Sequence, residues 1–391
     1  MLSTKSFPVI EATLPIIAER ISSITPNFYN RLFTAHPELL DGIFSRSNQK
    51  NGTQQQALAG SIAVFATYLV KYPETTPETM LARVAHKHTS LGVVEEQYPI
   101  VYKHLFDAIA EDLGDALTPE IAEAWTEVYW LMAHALIKIE KGLYAQQANA
   151  EIYTPWKLVK RTETGVDSVS FSFEPADSTP ATVAKPGQFV SVRMPMTDGV
   201  RQVRQYTLSD NIEQTDLRTI TVKLDVNGEF SPVIHNDLKI GDVVELSNPY
   251  GDLVIENDGS PLVIATAGIG CTPSAAALQT LAANGSSRKI TVLHADQEFG
   301  AWPLREQMLE SISKLPEASI STWFERGELP EGLNAKSGYM NLTEALTEDA
   351  QVYLCGPMPF MHSARTQALE AGIPAERIHY EVFGPDVWLA A

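Results

Sequence analysis

The chain is poor in cysteine: Cys271 and Cys355 are the only two in 391 residues. Two cysteines make no disulfide framework, and a reducing cytoplasm is the expected compartment. Basic charge is scarce as well, with 29 Lys and Arg against 48 Asp and Glu and a formal net charge of -19. Such a surface repels a phosphate backbone on average, no Lys/Arg cluster offsets it, and no nucleic-acid partner is expected. Long apolar runs are missing. The best, Val128 to Ile139, is too short to span a bilayer and carries His134. The opening Met1–Lys5 leads into a helical pattern rather than a secretory leader. No transmembrane segment is expected, and neither internal repeats nor low-complexity stretches occur. What is present is a hydrophobic fraction of 44%, enough for packed cores, in a length that suits two or three domains of ~100–200 residues.

The hydrophobic period changes twice, which predicts a multidomain chain. From about residue 5 to 147 it is helical: Leu58, Ile62, Phe65 and Leu69 step by four, three and four, and Tyr98, Val101, Leu105 and Ile109 behave alike. Trp125, Val128, Met132, Leu136 and Ile139 form a third stripe. Pro37, Asn51-Gly52, Pro73, Pro77 and Pro119 punctuate this all-α domain, 1–147. From 152 to 258 the period falls to two. Val169, Phe171 and Phe173 alternate with serines, and Ile220, Val222, Leu224 and Val226 alternate with polar residues, as in an antiparallel β-barrel. From 261 to 391 buried strands at Leu262, Ile290 and Val352 alternate with helices, an α/β doubly wound parallel sheet.

Within the helical part, His88 shares the apolar face of Leu81 and Val84. A neutral imidazole there can hold haem iron, or it is a core histidine satisfied by hydrogen bonds. Tyr29 points coreward with Leu32 and Phe33, and Gln54 lies one turn before Leu58. Both are either interior polar groups or hydrogen-bond partners for a ligand on the far side of a haem, whose edge Phe44 would wedge. Glu140 stands at the edge of a stripe between Leu136 and Leu143. It either snorkels to solvent or, with Tyr98, bonds the free nitrogen of His88 and makes the imidazole more basic.

In the barrel region Arg204-Gln205-Tyr206-Thr207 follows a strand. Arginine suits a flavin pyrophosphate, tyrosine can cover the isoalloxazine ring and the hydroxyl can bond its polar edge; a plain strand end is the alternative. Gly268-Ile269-Gly270-Cys271-Thr272-Pro273 comes straight after a buried strand and opens a helix. Its glycines would let a dinucleotide approach the backbone, with phosphates at the helix start; a simple strand-to-helix connection is the alternative.

Taken together, these stretches resemble the flavohemoglobins, whose domain order the whole chain follows. The globin part of the resemblance lies in 27–33, 47–52, 54–58, Lys87-His88-Thr89-Ser90, Glu96-Gln97-Tyr98 and Glu140. It implies His88 as the proximal iron ligand, Tyr98 and Glu140 as its partners, Tyr29, Gln54 and Leu58 as the distal pocket, and Lys87 beside a haem propionate. Arg204–Thr207 resembles the R-x-Y-[ST] signature of the ferredoxin-reductase superfamily, with Thr207 where serine is usual in flavohemoglobins. Pro186-Gly187-Gln188-Phe189 matches its P-G-Q-[YF], and Gly228-Glu229-Phe230-Ser231 a stretch that cradles the flavin pyrophosphate. Cys355-Gly356-Pro357 matches C-G-P near the nicotinamide, and Cys271 stands where such families often carry Gln. In the C-terminal segment the resemblance assigns Glu381 and Phe383 to the flavin, and Val382, Gly384 and Pro385 to the nicotinamide side. Phe383 is otherwise a core aromatic closing the sheet.

The resemblance implies haem b, FAD and NAD(P)H as cofactors, and O2 and nitric oxide as substrates converted to nitrate. It implies a monomer. Lipid in the haem pocket and the choice between NADH and NADPH stay open. Three rivals stand beside it: the same electron path to peroxide, nitrite or a ferric chelate; an oxygen-binding or sensing protein kept ferrous by its reductase; and a haem-free flavin reductase.

Overall fold

Apolar stripes at three- and four-residue spacing fold the first third of the chain into α1 (Ser6–Ala35), α2 (Arg46–Lys50), α3 (Thr53–Lys71), α4 (Glu78–Leu91), α5 (Tyr98–Leu113) and α6 (Pro119–Ala145). The structure, a computed structural model, describes residues 1–50, 52–210, 212–255 and 258–384. Asn51 of the expected turn lies outside them, and Gly52 takes a left-handed φ of 78°. α6 starts where its sequence supplies a stop for the preceding loop. Thr118 accepts from Ile121 N at 3.3 Å, Pro119 fills the first turn and Glu120 faces the positive end of the helix dipole. Trp125 Nε1 donates to Thr13 Oγ1 at 3.0 Å and ties α6 to α1. α1 runs through Pro15 and Pro26 and buries Ile10, Ile17, Ile24, Phe28 and Leu32 in the helical core. Among the described residues no helix is long and apolar enough to cross a membrane.

The period-two region forms β1 (Tyr153–Gly165), β2 (Ser168–Pro175), β3 (Phe189–Pro195), β4 (Arg201–Asp210), β5 (Arg218–Lys223) and β6 (Val243–Ser247), with the short helix α7 (Ser231–Asn236) before β6. They close into a barrel in the order β1-β2-β5-β4-β3-β6. Phe171 and Phe173 are fully buried, but the serines between them are buried too. Ser170 bonds Thr221 at 2.8 Å and Ser172 bonds Thr219 at 2.9 Å, so the polar half of the alternation is a hydroxyl ladder between β2 and β5. The alternation expected to continue through Leu224 and Val226 stops sooner. β5 ends at Lys223 because Ser231 Oγ receives Asp225 N and donates to Asp225 O, closing a turn that leaves Val226 75% exposed. Arg218 is buried with its guanidinium 4.7 Å from the Trp156 ring centroid, donating to Ser247 O and Thr182 O at 3.0 and 3.1 Å. Burial pushes its pKa down to about 10.

The last region builds β7 (Leu262–Ala267), α8 (Thr272–Ala283), β8 (Ile290–Asp296), α9 (Arg305–Ser313), β9 (Ala318–Phe324), β10 (Ala335–Ser337), β11 (Gln351–Cys355), α10 (Met358–Glu370) and β12 (Ile378–Glu381). The parallel sheet has the order β10-β9-β8-β7-β11-β12, so chain direction along the sheet reverses between β7 and β11. Both faces are covered. Ile264, Ile290 and Val292 pack with Leu278 and Met308 of α8 and α9, while Val263, Ala265 and Leu354 pack with Ala364 and Ala368 of α10. Chain contacts define two compact units. One comprises Met1–Ile152, Arg193–Arg204 and Gly384; the other, Tyr153–Val192 and Gln205–Phe383, holds the parallel sheet together with most of the barrel. Within the second, Gln279 Nε2 reaches Asp210 Oδ1 at 2.6 Å and Gln307 Nε2 reaches Ser209 O at 2.7 Å.

Two outcomes follow for stability. Arg218→Leu is expected to lower the unfolding free energy by about 2–3 kcal/mol, because two buried carbonyls lose their donors; a denaturant midpoint within error of wild type contradicts this. His294 is fully buried, hydrogen-bonded through Nδ1 to Thr266 at 2.9 Å, and burial holds its pKa below the ordinary 6.5. Below about 6.5 the unfolded chain therefore binds more protons than the folded one, and stability present above that pH is lost as pH falls. His294→Gln should flatten the fall in Tm between about pH 7 and 5; parallel curves for the two proteins would contradict this titration.

Candidate active site

Three helices converge on one carboxylate. Glu140 of α6 is 2% exposed, which removes the solvent-snorkelling alternative. Its Oε1 lies 2.8 Å from His88 Nδ1 on α4 and accepts from the Tyr98 hydroxyl, at the start of α5, at 2.7 Å. Tyr98 Oη is also 3.2 Å from His88 Nδ1. A carboxylate only accepts, so Nδ1 carries the ring proton and Nε2 keeps its lone pair. The His88 side chain is 33% exposed, in contrast to Glu140 at 3%. The imidazole is thus anchored on its Nδ1 edge and open elsewhere, so its Nε2 could hold a haem iron. Burial first, and the Glu140 charge second, push the Tyr98 pKa up and keep its hydroxyl a donor.

The anchoring extends further than sequence reasoning reached. Tyr129 donates to Tyr98 O at 2.7 Å, and Tyr144 donates to Val93 O at 2.8 Å and Thr89 O at 3.3 Å. Both sit on α6, eleven residues before and four after Glu140, and pin the turn between α4 and α5. The signal was present as tyrosines flanking the stripe that carries Glu140.

On α1, Tyr29 is buried and its hydroxyl is hydrogen-bonded with the Gln54 side chain of α3. Burial raises the Tyr29 pKa, and Gln54 offsets part of the rise, so the phenol stays protonated. Phe33 stacks on Tyr29 at 5.6 Å and Phe44 meets it edge-on at 6.0 Å. Phe44 and Leu58 are half-buried against the same core. Lys87 Nζ donates to Gly384 O at 2.6 Å.

Along β4, Arg204, Gln205 and Tyr206 are half-exposed between buried Val203 and Thr207. Tyr206 lies 6.1 Å from the Phe230 ring. Phe189 exchanges backbone bonds with Tyr250 at 2.7 and 2.9 Å. A Cβ on Gly187 would fall 1.9 Å from Leu253 O, and one on Gly228 3.0 Å from Asp225 Oδ2. These glycines set close backbone approaches beside the half-exposed stretch, a surface that fits a flavin. The Ser231 hydroxyl is engaged by both backbone atoms of Asp225.

At the strand reversal, Gly268–Cys271 makes a tight turn between β7 and α8, with Thr272 Oγ1 donating to Ile269 O at 3.1 Å. A Cβ on Gly270 would meet Cys355 O at 2.3 Å, and one on Gly356 would meet Ala267 N at 3.1 Å. The two turns touch backbone to backbone; Gly268 and Ile269 stay half-exposed, while the first residues of α8, including Pro273, are buried. Cys271 and Cys355 are buried free thiols. Burial, then Asp296, raises the pKa of the first; burial, then Glu381, raises that of the second. Pro357 is exposed, and past β12 Glu381 and Val382 are buried. Phe383 is 47% exposed and does not close the sheet. Pro385 lies outside the described residues.

Known protein families match three successive stretches of the chain. The globin family matches residues 26–136, the oxidoreductase FAD-binding domain 155–255 and the oxidoreductase NAD-binding domain 263–366. A flavohemoprotein of Chromobacterium violaceum is 36% identical over 98% of both chains. A crystal structure of a flavohemoglobin from Malassezia yamatoensis with bound FAD and heme is 47% identical, with a TM-score of 0.93 over 98% of this chain and 100% of that one. The flavohem-like FAD/NAD-binding domain of nitric oxide dioxygenase from Vibrio cholerae is 31% identical, covering 59% of this chain and 99% of its own, at a TM-score of 0.55. The chain belongs to the flavohemoprotein family and is an NAD(P)H-dependent oxidoreductase with globin, FAD-binding and NAD-binding domains.

Proposed function

We propose that this chain is a cytoplasmic nitric oxide dioxygenase, oxidising nitric oxide to nitrate with O2 and electrons from NAD(P)H. The observation that carries the proposal is the buried Glu140–His88–Tyr98 network. A globin that only stores oxygen has no need of a carboxylate behind its imidazole, whereas oxygen-activating haem proteins do. The name of the Vibrio cholerae structure supports the choice of nitric oxide. When bound, haem supplies a redox iron centre for oxygen chemistry, and FAD exchanges the two-electron hydride of NAD(P)H for single electrons.

The side chains divide the remaining work. His88 Nε2 would hold the iron, while Glu140 keeps the Nδ1 proton in place and raises the basicity of the ring. Tyr98 holds the carboxylate in register. The protonated Tyr29 hydroxyl would donate to the oxygen substrate, with Gln54 orienting it and Leu58 and Phe44 excluding water. Lys87 would neutralise a haem propionate. Arg204 would pair with the flavin pyrophosphate alongside Gly228 and Ser231, Tyr206 and Phe383 would cover the ring, and Phe189, Gln205, Thr207 and Glu381 would line it. The turns Gly268–Pro273 and Cys355–Pro357, with Val382, Gly384 and Pro385, would receive the dinucleotide. The corresponding domains are 1–147, 152–258 and 261–391.

The deciding experiment follows nitric oxide with an electrode, using the haem- and FAD-loaded protein in air. Consumption that requires both O2 and NAD(P)H, with nitrate as product, is the expected result. Negligible consumption by protein whose haem NAD(P)H still reduces moves the function to another acceptor or to oxygen binding. Glu140→Gln should slow oxygen-dependent turnover roughly ten- to hundredfold while haem stays bound; unchanged turnover removes Glu140 from the mechanism.

A further inference from the structure

Phe44 stands in a short loop, residues 41–45, between a single helical turn (Pro37–Leu40) and α2. Asp41 N and Phe44 N donate back to that turn, at Glu38 O and Leu39 O. On its other side the loop is held by Arg201 and Gln202 of β4, which belong to the same compact unit as the helices. Gln202 is fully buried. Its Nε2 donates to Leu40 O at 3.4 Å, and its Oε1 accepts from Arg46 N at 3.2 Å. Arg46 opens α2, where a backbone N–H has no partner within the helix, so the amide satisfies an orphan donor. One side chain therefore bonds the last residue before the loop and the first residue after it.

Charge pairs repeat the staple nearer the surface. Arg201 N donates to Asp41 Oδ1 at 2.8 Å, Arg201 Nη2 to Asp41 Oδ2 at 2.6 Å, and Arg46 Nη1 to Asp198 Oδ2 at 2.5 Å. These pairs are half-exposed and each contributes little, whereas a buried amide stripped of its partners is costly, so Gln202 carries the larger share. Gly42, at φ 85°, lets the loop pass close to Arg193; a Cβ there would lie 3.0 Å from Arg193 Cδ. Held in this way, the loop packs one aromatic ring on the helical core. Phe44 meets Tyr29 edge-on at 6.0 Å and Phe33 at 5.2 Å, and so forms one wall around the Tyr29 ring. A displaced loop moves that wall, and the hydrogen bond between the Tyr29 hydroxyl and Gln54 depends on where the ring sits.

We propose that Gln202, a residue of the barrel strand β4, is a positioning residue for Phe44 and, through it, for the Tyr29 hydroxyl. This role rests on the assignment of Tyr29 to the haem ligand made above. It is tested on the haem- and FAD-loaded full-length protein in its ferrous form, with carbon monoxide as the probe. The carbon monoxide stretching band responds to a hydroxyl donating to it, so Tyr29→Phe should shift the band. Gln202→Met keeps the bulk and removes both bonds to the loop; it should broaden the band and move it toward the Tyr29→Phe position. Asp41→Ala removes only a half-exposed side chain and should give a smaller shift in the same direction. Independently, trypsin cleavage after Arg46 should quicken about tenfold in Gln202→Met, the effect of two lost hydrogen bonds on local opening. A Gln202→Met band coincident with wild type overturns the proposal, even where cleavage quickens. Should Gln202→Met not fold, a wild-type band in Asp41→Ala overturns it instead. A band that Tyr29→Phe leaves unmoved removes Tyr29 from the haem ligand, and the positioning role falls with it.

Discussion

The buried carboxylate of Glu140 constrains how three helices of the N-terminal region meet. An ion at 2% exposure is tolerable only with donors in place, and both donors come from other helices. That requirement fixes where α4 and the start of α5 meet α6. It also fixes the rotation of the His88 ring, since Nδ1 must face Glu140. Tyr129 and Tyr144 then hold the backbone at Tyr98, Thr89 and Val93, so the ring cannot drift by way of the turn that follows it. The direction of the free Nε2 lone pair is a consequence of these bonds, and so is the proposed push on an iron centre.

Elsewhere buried polar groups find their partners through different chemistry, although a few, such as Ser191 Oγ and Thr322 Oγ1, have none. In the barrel, Arg218 rests on two carbonyls and an indole face, and the serines of β2 pair with threonines of β5. In the parallel sheet the decisive feature is an absence of side chain. Gly270 and Gly356 allow the turns after β7 and β11 to come into backbone contact, which any Cβ at Gly270 would prevent. One unit is therefore organised by a shared charge and the other largely by hydroxyl ladders and close glycine approaches.

Those differences explain what was legible in the sequence. Period alone reveals the helices, the barrel strands and the alternating strands and helices, because each is a local consequence of which face is buried. The ordered motifs identify the family. The convergence of His88, Tyr98 and Glu140 is another matter, since the partners are 10, 42 and 52 residues apart and only folding brings them together. Residue type suggested the network, but the packing that decides between a snorkelling and a buried Glu140 is long-range. For the same reason alternation alone does not show that the serines of β2 are buried, and it runs on through Leu224 and Val226 although β5 ends at Lys223.

Charge links the proposed chemistry to the surface that surrounds it. At a formal net charge of -19 the protein offers little long-range attraction to any anion, so a dinucleotide at the proposed site would have to be held by local groups. O2 and nitric oxide are uncharged and indifferent to the field. Nitrate is not. In the proposed reaction both gases approach without electrostatic hindrance, and the one ionic product leaves down a potential that favours its release.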